Sequence, residues 1–421
     1  MPSVLILDSA GAARDVVALM KAAKVHAGGF EYMVPKFSFF LVKIRNLEHR
    51  AANVLKQELL SLGHDAAVSM DVSLFREGRG DVVFGATRRA VEALAEKLQE
   101  QPFGLPAVGR QVREALENFS RSAPHLPLAD GRKVPLGDRP LVAGVLNVTP
   151  DSFSDGGRLP NVEAAVERAL EMAEEGADMI DVGGESTRPG ASAVPEDEEL
   201  RRVVPVVEAV RKRSPVLLSV DTRKAAVARA AIEGGADVLN DVSAGRSDGE
   251  MLPLAAGAKA PVILMHMQGT PETMQENPSY DDVLFDVAEF FRERIEAAER
   301  AGVARERVVL DPGIGFGKTV EHNLVLLNHA QAFRSLGRPL MVGVSRKSFL
   351  GKILKLPVEK RLEGGLAAQA LAYLKGVRIF RTHDVRAARR VLDALQAVAG
   401  AAPTGLVPGE DEGEAQALHV C

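Results

Sequence analysis

The chain has 421 residues, 46% hydrophobic and 26% charged, with a formal net charge of −5. That length exceeds one ordinary compact core and implies a large domain with a smaller companion. The acidic balance excludes a general nucleic-acid binder, which needs a basic face, and a lone Cys421 excludes an internal disulfide or a cysteine-based metal cluster.

At the N-terminus, MPSVLILDSAGAARD has an apolar stretch only from Val4 to Leu7, too short for a signal-peptide core. No apolar run nears the ~20 residues a membrane-spanning helix needs. The expectation is a soluble, cytoplasmic protein. Residues 1–120 read as a small α+β domain. The aromatic and β-branched run Phe37 to Ile44 predicts a strand whose aromatic residues belong to a core. Glu48 to Leu62 predicts a helix, with Ala52, Val54, Leu55, Leu59 and Leu60 as its apolar stripe and Gly63 as its stop. Asp81 to Phe84 predicts a short strand and Val91 to Leu98 a second helix. No catalytic motif occurs in this region.

Residues 121–140, RSAPHLPLADGRKVPLGDRP, are rich in Pro and Gly, and Asp130-Gly131 predicts a hairpin turn. The domain boundary is expected here. From Leu141 short apolar strands alternate with longer amphipathic helices. The predicted strands are Val142–Leu146, Met179–Val182, Val216–Val220, Val238–Leu239, Val262–Met265, Val308–Leu310, Leu340–Val344 and Val377–Phe380. Eight such units predict an α/β architecture, a (β/α)8 TIM barrel over residues 141–400 preceded by the small α+β domain. The acidic, Gly/Pro-rich remainder, 401–421, predicts a disordered tail.

Barrel active sites lie at the C-terminal strand ends. Here those ends read Asn147, Asp181 followed by Gly183 to Arg188, Asp221, Asn240-Asp241, Met265-His266, Asp311, Ser345-Arg346-Lys347 and Arg381-Thr382-His383. Each is polar, amide or ionisable, or borders such a group. Asp221, Asp311, Asn240 and Lys347 suit a flat heterocycle with alternating ring N–H and carbonyl groups. An aminopyrimidinone edge offers two adjacent donors that one carboxylate accepts together. Arg188, Arg381 and His383 supply positive charge for an anion. Asn147 and Asp151 are hard oxygen donors able to hold Mg2+ against phosphates.

The segments GVLNVTPDSFSDGG, IDVGGESTRPGA, SVDTRK, LNDVSAG, MHMQGTPETMQ, LDPGIGFGK, GVSRKSFLG and FRTHDV together resemble the bacterial dihydropteroate synthases, in family order, over about residues 135 to 398. The resemblance implies a transferase of folate biosynthesis. It would join 6-hydroxymethyl-7,8-dihydropterin pyrophosphate to 4-aminobenzoate with loss of pyrophosphate, and it would be a target of sulfonamides. It implies a pterin pocket of Asp221, Asn240, Asp311 and Lys347 with Met265 and Phe316 as apolar walls. Asn147, with Arg188, Arg381 and His383, would take the pyrophosphate. Mg2+ would sit on Asn147 and Asp151. Phe153, Thr187, Pro189 and Ser345 would frame the aminobenzoate. The loops 149–158 and 185–194 would cover the reaction. The implied mechanism is dissociative: pyrophosphate leaves, Asp221 stabilises the pterin methyl cation, and the arylamine attacks. Asp221, Asp311, Lys347, Arg381 and His383 would carry catalysis. A homodimer through barrel helices is compatible with the resemblance, and no sequence feature decides it. The region before residue 120 resembles extensions on some longer bacterial members.

Blander readings compete at several positions. GIGFGKT is not a phosphate loop, because the position where its first glycine belongs is Pro312. His266 has no second histidine or cysteine at ligand spacing and reads as structural. Asp181 reads as a support for its neighbours. A methyltransferase sharing the pterin pocket would lack STRPG, SRK and RTH, all present here. A catalytically dead scaffold is disfavoured because every matching polar position is intact.

Overall fold

The computed structural model describes residues 13–121, 125–137, 139–149, 161–186 and 193–401. Of the expected tail 401–421, all but Ala401 therefore lies outside the described residues. Contacts divide the chain into two compact units, with one boundary between Glu117 and Asn118 and Gly400 onward grouped with the first unit.

The first unit is built on a three-stranded antiparallel sheet of β1 (Phe39–Glu48), β2 (Ala66–Ala67) and β3 (Arg79–Thr87), ordered β1-β3-β2. Helix His49–Ser61 packs Ala51, Ala52, Leu55 and Leu59 onto Val82 and Phe84. Helix Leu105–Ser120, absent from the expected elements, adds Leu105, Val112 and Leu116 to the same core. The expected strand begins late, because Phe37 ends the helix Phe30–Phe37. The expected burial of its aromatics also fails for two of three. Phe37 is 50% and Phe39 61% exposed. Strand alternation explains Phe39: Phe40, Val42 and Ile44 take the core side, so Phe39 and Leu41 point away.

The second unit opens with the hairpin β4 (His125–Pro127) and β5 (Lys133–Pro135), turned at Gly131 with φ +89°. Eight parallel strands follow: β6 (Leu141–Asn147), β7 (Met179–Gly183), β8 (Leu217–Asp221), β9 (Val238–Asp241), β10 (Val262–Met265), β11 (Val308–Asp311), β12 (Met341–Gly343) and β13 (Ile379–Thr382). The bridge Leu310↔Leu340 joins β11 to the start of β12 and closes the ring. The fold is a TIM barrel. β13 starts two residues later than the apolar run predicts. Val377 instead closes the preceding helix, its N–H bonded to Ala372 O at 3.0 Å after Gly376 at φ +88°.

The period of two along a strand sorts every side chain. Leu141, Ala143, Met179, Leu217, Val238, Ile263, Val309, Met341 and Ile379 form one apolar layer inside the barrel. Leu126, Leu128 and Leu136 of the hairpin region pack into that layer and floor it. The alternate residues Val142, Leu146, Ile180, Val182, Leu218, Val220, Leu239, Leu264, Val342 and Phe380 face outward into the helices. Phe291 is fully buried there, edge-on to Phe333 with centroids 5.6 Å apart. Phe291→Ala is expected to destabilise the barrel by about 3–5 kcal/mol, measured as the shift of its denaturant unfolding transition with the first unit's transition unmoved.

Candidate active site

The alternation that buries the apolar layer also builds the site. Two residues beyond each inward apolar residue comes the next inward one: Asp181 after Met179, Ser219 after Leu217, Asn240 after Val238, Met265 after Ile263, Asp311 after Val309 and Arg381 after Ile379. Four residues beyond Leu217 is Asp221, and four beyond Ala143 is Asn147. The registers Asn147↔Gly183, Gly183↔Asp221, Asp221↔Asn240 and Met265↔Asp311 hold these ends at nearly one level. One mouth therefore collects Asn147, Asp221, Asn240, Met265, Asp311 and Arg381, and the loop after β12 brings Ser345 and Lys347.

Arg381 is the hub of this mouth. Its Nε donates to Asp181 Oδ2 at 2.5 Å and its Nη2 to Asp221 Oδ2 at 2.8 Å. Both carboxylates are buried, and burial of unpaired charge is costly. Asp181 also accepts both bonds from Asn240 Nδ2, at 3.1 and 3.3 Å. Asp181 thus fixes an arginine and an amide that face the lumen. Asp221 keeps Oδ1 buried without a hydrogen bond among the described residues. Burial pushes the Asp221 carboxyl up to about 7, against the opposing pull of Arg381 and with the push of Asp181, Glu199 and Asp241. Arg381 itself is held above its ordinary range, because Asp181 and Asp221 outweigh its burial.

Across the lumen, Asp311 Oδ1 accepts from Gly313 N at 2.8 Å. Burial raises its carboxyl to about 6, opposed by that N–H and by Lys347 and Arg381. Lys347 Nζ stands 4.1 Å from the Phe316 ring centre, and burial with the Arg381 charge lowers it to about 8. Phe316 clusters with Met265, Met267, Met274 and Val242, an apolar wall beside the polar groups. Gly313 allows this turn. At φ +65°, a Cβ there would lie 2.0 Å from His266 O.

His383 Nδ1 lies 3.2 Å from Ser345 Oγ, and Asp384 pairs with Arg346 at 2.6 Å. Burial, then Arg381 and Arg346, push His383 down to about 4. In this arrangement His383 is neutral near pH 7. Asp241 turns away from the mouth and caps its own loop, accepting from Ser243 N at 2.7 Å and Gly245 N at 2.6 Å.

Asp151, Phe153, Thr187, Arg188 and Pro189 lie outside the described residues, as do most of the loops 149–158 and 185–194. Asn147, the last residue of β6, offers one hard oxygen. Among the described residues no group of three His, Cys, Asp or Glu side chains could hold a metal.

Lys318 escaped the sequence reading. It is buried, with Nζ 2.8 Å from Phe316 O and 2.9 Å from His266 Nδ1. Burial lowers it to about 7, and with the Lys318 and Arg246 charges, burial holds His266 well below its usual value. Lys318 ties the segment after β10 to the turn after β11, and so sets the apolar wall. The lysine that ends the GFGK run was the available signal.

Arg381→Met leaves Asp181 and Asp221 buried without their cation. It is expected to destabilise the barrel by about 3–5 kcal/mol, read from urea unfolding, and Asp181→Asn in the same chain is expected to recover part of that loss.

A family model described as "Pterin binding enzyme" matches residues 143–383. The dihydropteroate synthase of Escherichia coli strain K12 is 49% identical over 258 residues, covering 61% of this chain and 91% of that protein. A probable bifunctional folylpolyglutamate synthase/dihydropteroate synthase of Halobacterium salinarum is 45% identical over 402 residues, covering 94% of this chain. The chain spans 47% of that relative's length, and so about half of it. The solved structure of Xanthomonas albilineans dihydropteroate synthase with 4-aminobenzoic acid superposes with a TM-score of 0.62 at 47% identity, over 66% of this chain and 99% of that one. The chain belongs to the pterin-binding enzymes, and its barrel is that of the dihydropteroate synthases.

Proposed function

We propose that the whole protein condenses 6-hydroxymethyl-7,8-dihydropterin pyrophosphate with 4-aminobenzoate, giving 7,8-dihydropteroate and pyrophosphate. The observation that carries this reading is the convergence of Asp221, Asn240, Asp311 and Lys347 on one buried mouth beside the Met265–Phe316 wall. Asp221 Oδ1 is a buried acceptor awaiting a donor, which a ring N–H of the pterin supplies, while the Asp311 carboxylate takes the pair of donors on the amino edge. Asn240 and Lys347 meet the remaining edge, and Phe316 and Met265 cover the ring face.

Once the pterin is seated, the Asp221 carboxylate faces the methyl cation left when the C–O bond to pyrophosphate breaks. Fixed charge of this kind acts where charge develops, with little reorganisation. Arg381 spends two donors on Asp181 and Asp221 and turns the rest of its fork toward the departing anion, with Arg188 and neutral His383 as further donors. The amine of 4-aminobenzoate, framed by Phe153, Thr187, Pro189 and Ser345, attacks the cation and then loses a proton. When bound, Mg2+ supplies charge neutralisation to the pyrophosphate. Asn147 and Asp151 would hold it, and this donor set fits an ion that binds through one or two protein oxygens plus phosphates and waters. Residues 1–120 form an accessory region in this reading, and 121–140 the link to the barrel. A cytoplasmic location belongs to the same proposal, since phosphorylated substrates do not cross membranes unaided. No described helix is long and apolar enough to cross one.

The test is magnesium-dependent pyrophosphate release from the two substrates, inhibited by sulfonamides in competition with aminobenzoate. Absence of release, or noncompetitive inhibition, would count against the reading. The pH dependence has a definite sign. The pterin donors need ionised Asp221, whose carboxyl sits at about 7 in the free chain. Affinity for a non-hydrolysable pterin should therefore fall as the pH drops through about 7. In Asp221→Asn that limb should be lost in a calorimetric titration, leaving the limb that Asp311 sets at about 6 and the loss above about 8 that Lys347 sets.

A homodimer is part of the proposal. Leu324, Ile353, Leu354, Leu371 and Leu374 are exposed on the helices Val320–Asn328, Ser348–Leu354 and Leu362–Leu374. An apolar patch of this kind marks an interface. Sedimentation should give twice the chain mass for the wild type and the chain mass for Leu371→Glu/Leu374→Glu.

A further inference from the structure

Four arginines line one small cavity at the end of the barrel away from the mouth. Arg334 and Arg338 come from the segment before β12, Arg378 immediately precedes β13, and Arg121 precedes β4. Leu136, Pro339 and Leu340 supply apolar wall, and no carboxylate is among the described lining residues. All of the lining belongs to the second unit.

The guanidinium groups are braced by groups other than an acid in the cavity. Arg378 Nη1 donates to Val377 O at 2.9 Å and to Tyr373 O at 3.2 Å. Arg338 is buried, with Nη1 donating to Gly337 O at 2.8 Å and Nη2 to Glu299 Oε1 at 3.2 Å. Glu299 lies outside the lining and also meets Arg305 at 3.7 Å. Arg334 lays its guanidinium 4.8 Å from the Phe119 ring centre. Its stem fills the space left by Gly376, where a Cβ would lie 2.8 Å from Arg334 Cδ. Burial, and then the Arg378 charge, pull Arg334 below its ordinary value. Arg121 is exposed.

Like charges gathered away from water repel strongly, and a chain of net charge −5 has acids enough to pair them. Other arginines of this barrel are paired so: Arg211 with Asp237, Arg389 with Asp178, and Arg381 with Asp181 and Asp221. Among the described residues Arg334 has no such carboxylate. The cavity measures about 40 Å3, room for a few waters or one compact ion and not for a nucleotide. Planar arginine forks match phosphate oxygens in pairs.

We propose that this cavity binds one compact oxyanion of the phosphate class, held chiefly by Arg334 and Arg378 with Arg121 as an outer contact. It lies at the opposite strand ends from Arg381 and His383, and it stands whether or not the barrel runs the proposed reaction. An anion bound there would screen Arg334 from Arg378 and so stabilise the folded barrel.

The test uses the full chain, with inorganic phosphate as the probe and sodium chloride at matched ionic strength as the control. Phosphate should raise the thermal transition of the barrel saturably, with half the effect at about millimolar concentration or below. At ten times that concentration, amide hydrogen exchange at residues 334–340 and 376–378 should slow about ten-fold. In Arg334→Met, which keeps an apolar stem against Phe119, this protection should be lost, while any phosphate effect at residues 381–383 stays. Arg121→Met, at an exposed position that the fold tolerates, should weaken the protection at the base about two- to five-fold and decides alone if Arg334→Met does not fold. A response no greater than that to chloride, protection confined to the mouth, or undiminished protection in the variants would overturn the proposal.

Discussion

Everything at the barrel mouth depends on how one guanidinium reconciles two buried carboxylates. Asp181 and Asp221 sit on neighbouring strands and both face the lumen. Left alone they would repel. Arg381, reaching across from β13, binds both. The result is a balanced yet incomplete cluster: Asp181 is saturated by Arg381 and Asn240, while Asp221 keeps one oxygen for a ligand. Near-balance is what the proposed reaction through separated ions requires: in it, a strongly negative site would repel pyrophosphate and a strongly positive one the cation left behind.

The apolar and polar halves of the lumen are made by one rule applied at different depths. Strand alternation sends Met179 and Asp181, or Val309 and Asp311, to the same side. The lower residues fill the barrel and the upper ones act. The dry layer beneath is what raises the Asp221 and Asp311 carboxyls and lowers Lys347 and Lys318. Burial is the largest cause in each case, and Arg381 acts beside it, opposing the rise of Asp221 and adding to the fall of Lys347.

Much of this was legible beforehand. Each barrel strand is a short apolar run, and the polar residues of the mouth sit where that run breaks, so the candidates Asn147, Asp221, Asn240, Asp311 and Arg381 could be picked out by position. What periodicity could not give was pairing between distant residues. Nothing local ties Arg381 to Asp181, 200 residues away, and the anion role expected for Arg381 omitted its carboxylate partners. Lys318 lies in GIGFGKT, where the sequence only rules out a phosphate loop, because burial of a lysine is invisible in its own segment. Phe37 and Phe39 misled in the opposite direction: their chemistry says core, and their parity along the chain says surface. The helix Leu105–Ser120 was missed although Leu105, Val112 and Leu116 carry a helical spacing.

The hairpin β4–β5 sits far from the chemistry and is easily taken for linker. Its leucines stopper the end of the barrel opposite the mouth. Anyone trimming this chain to a minimal catalytic fragment must therefore cut ahead of His125. A fragment started at Leu141, where the repeating units begin, would leave the bottle without its base and let solvent rise beneath the reacting groups.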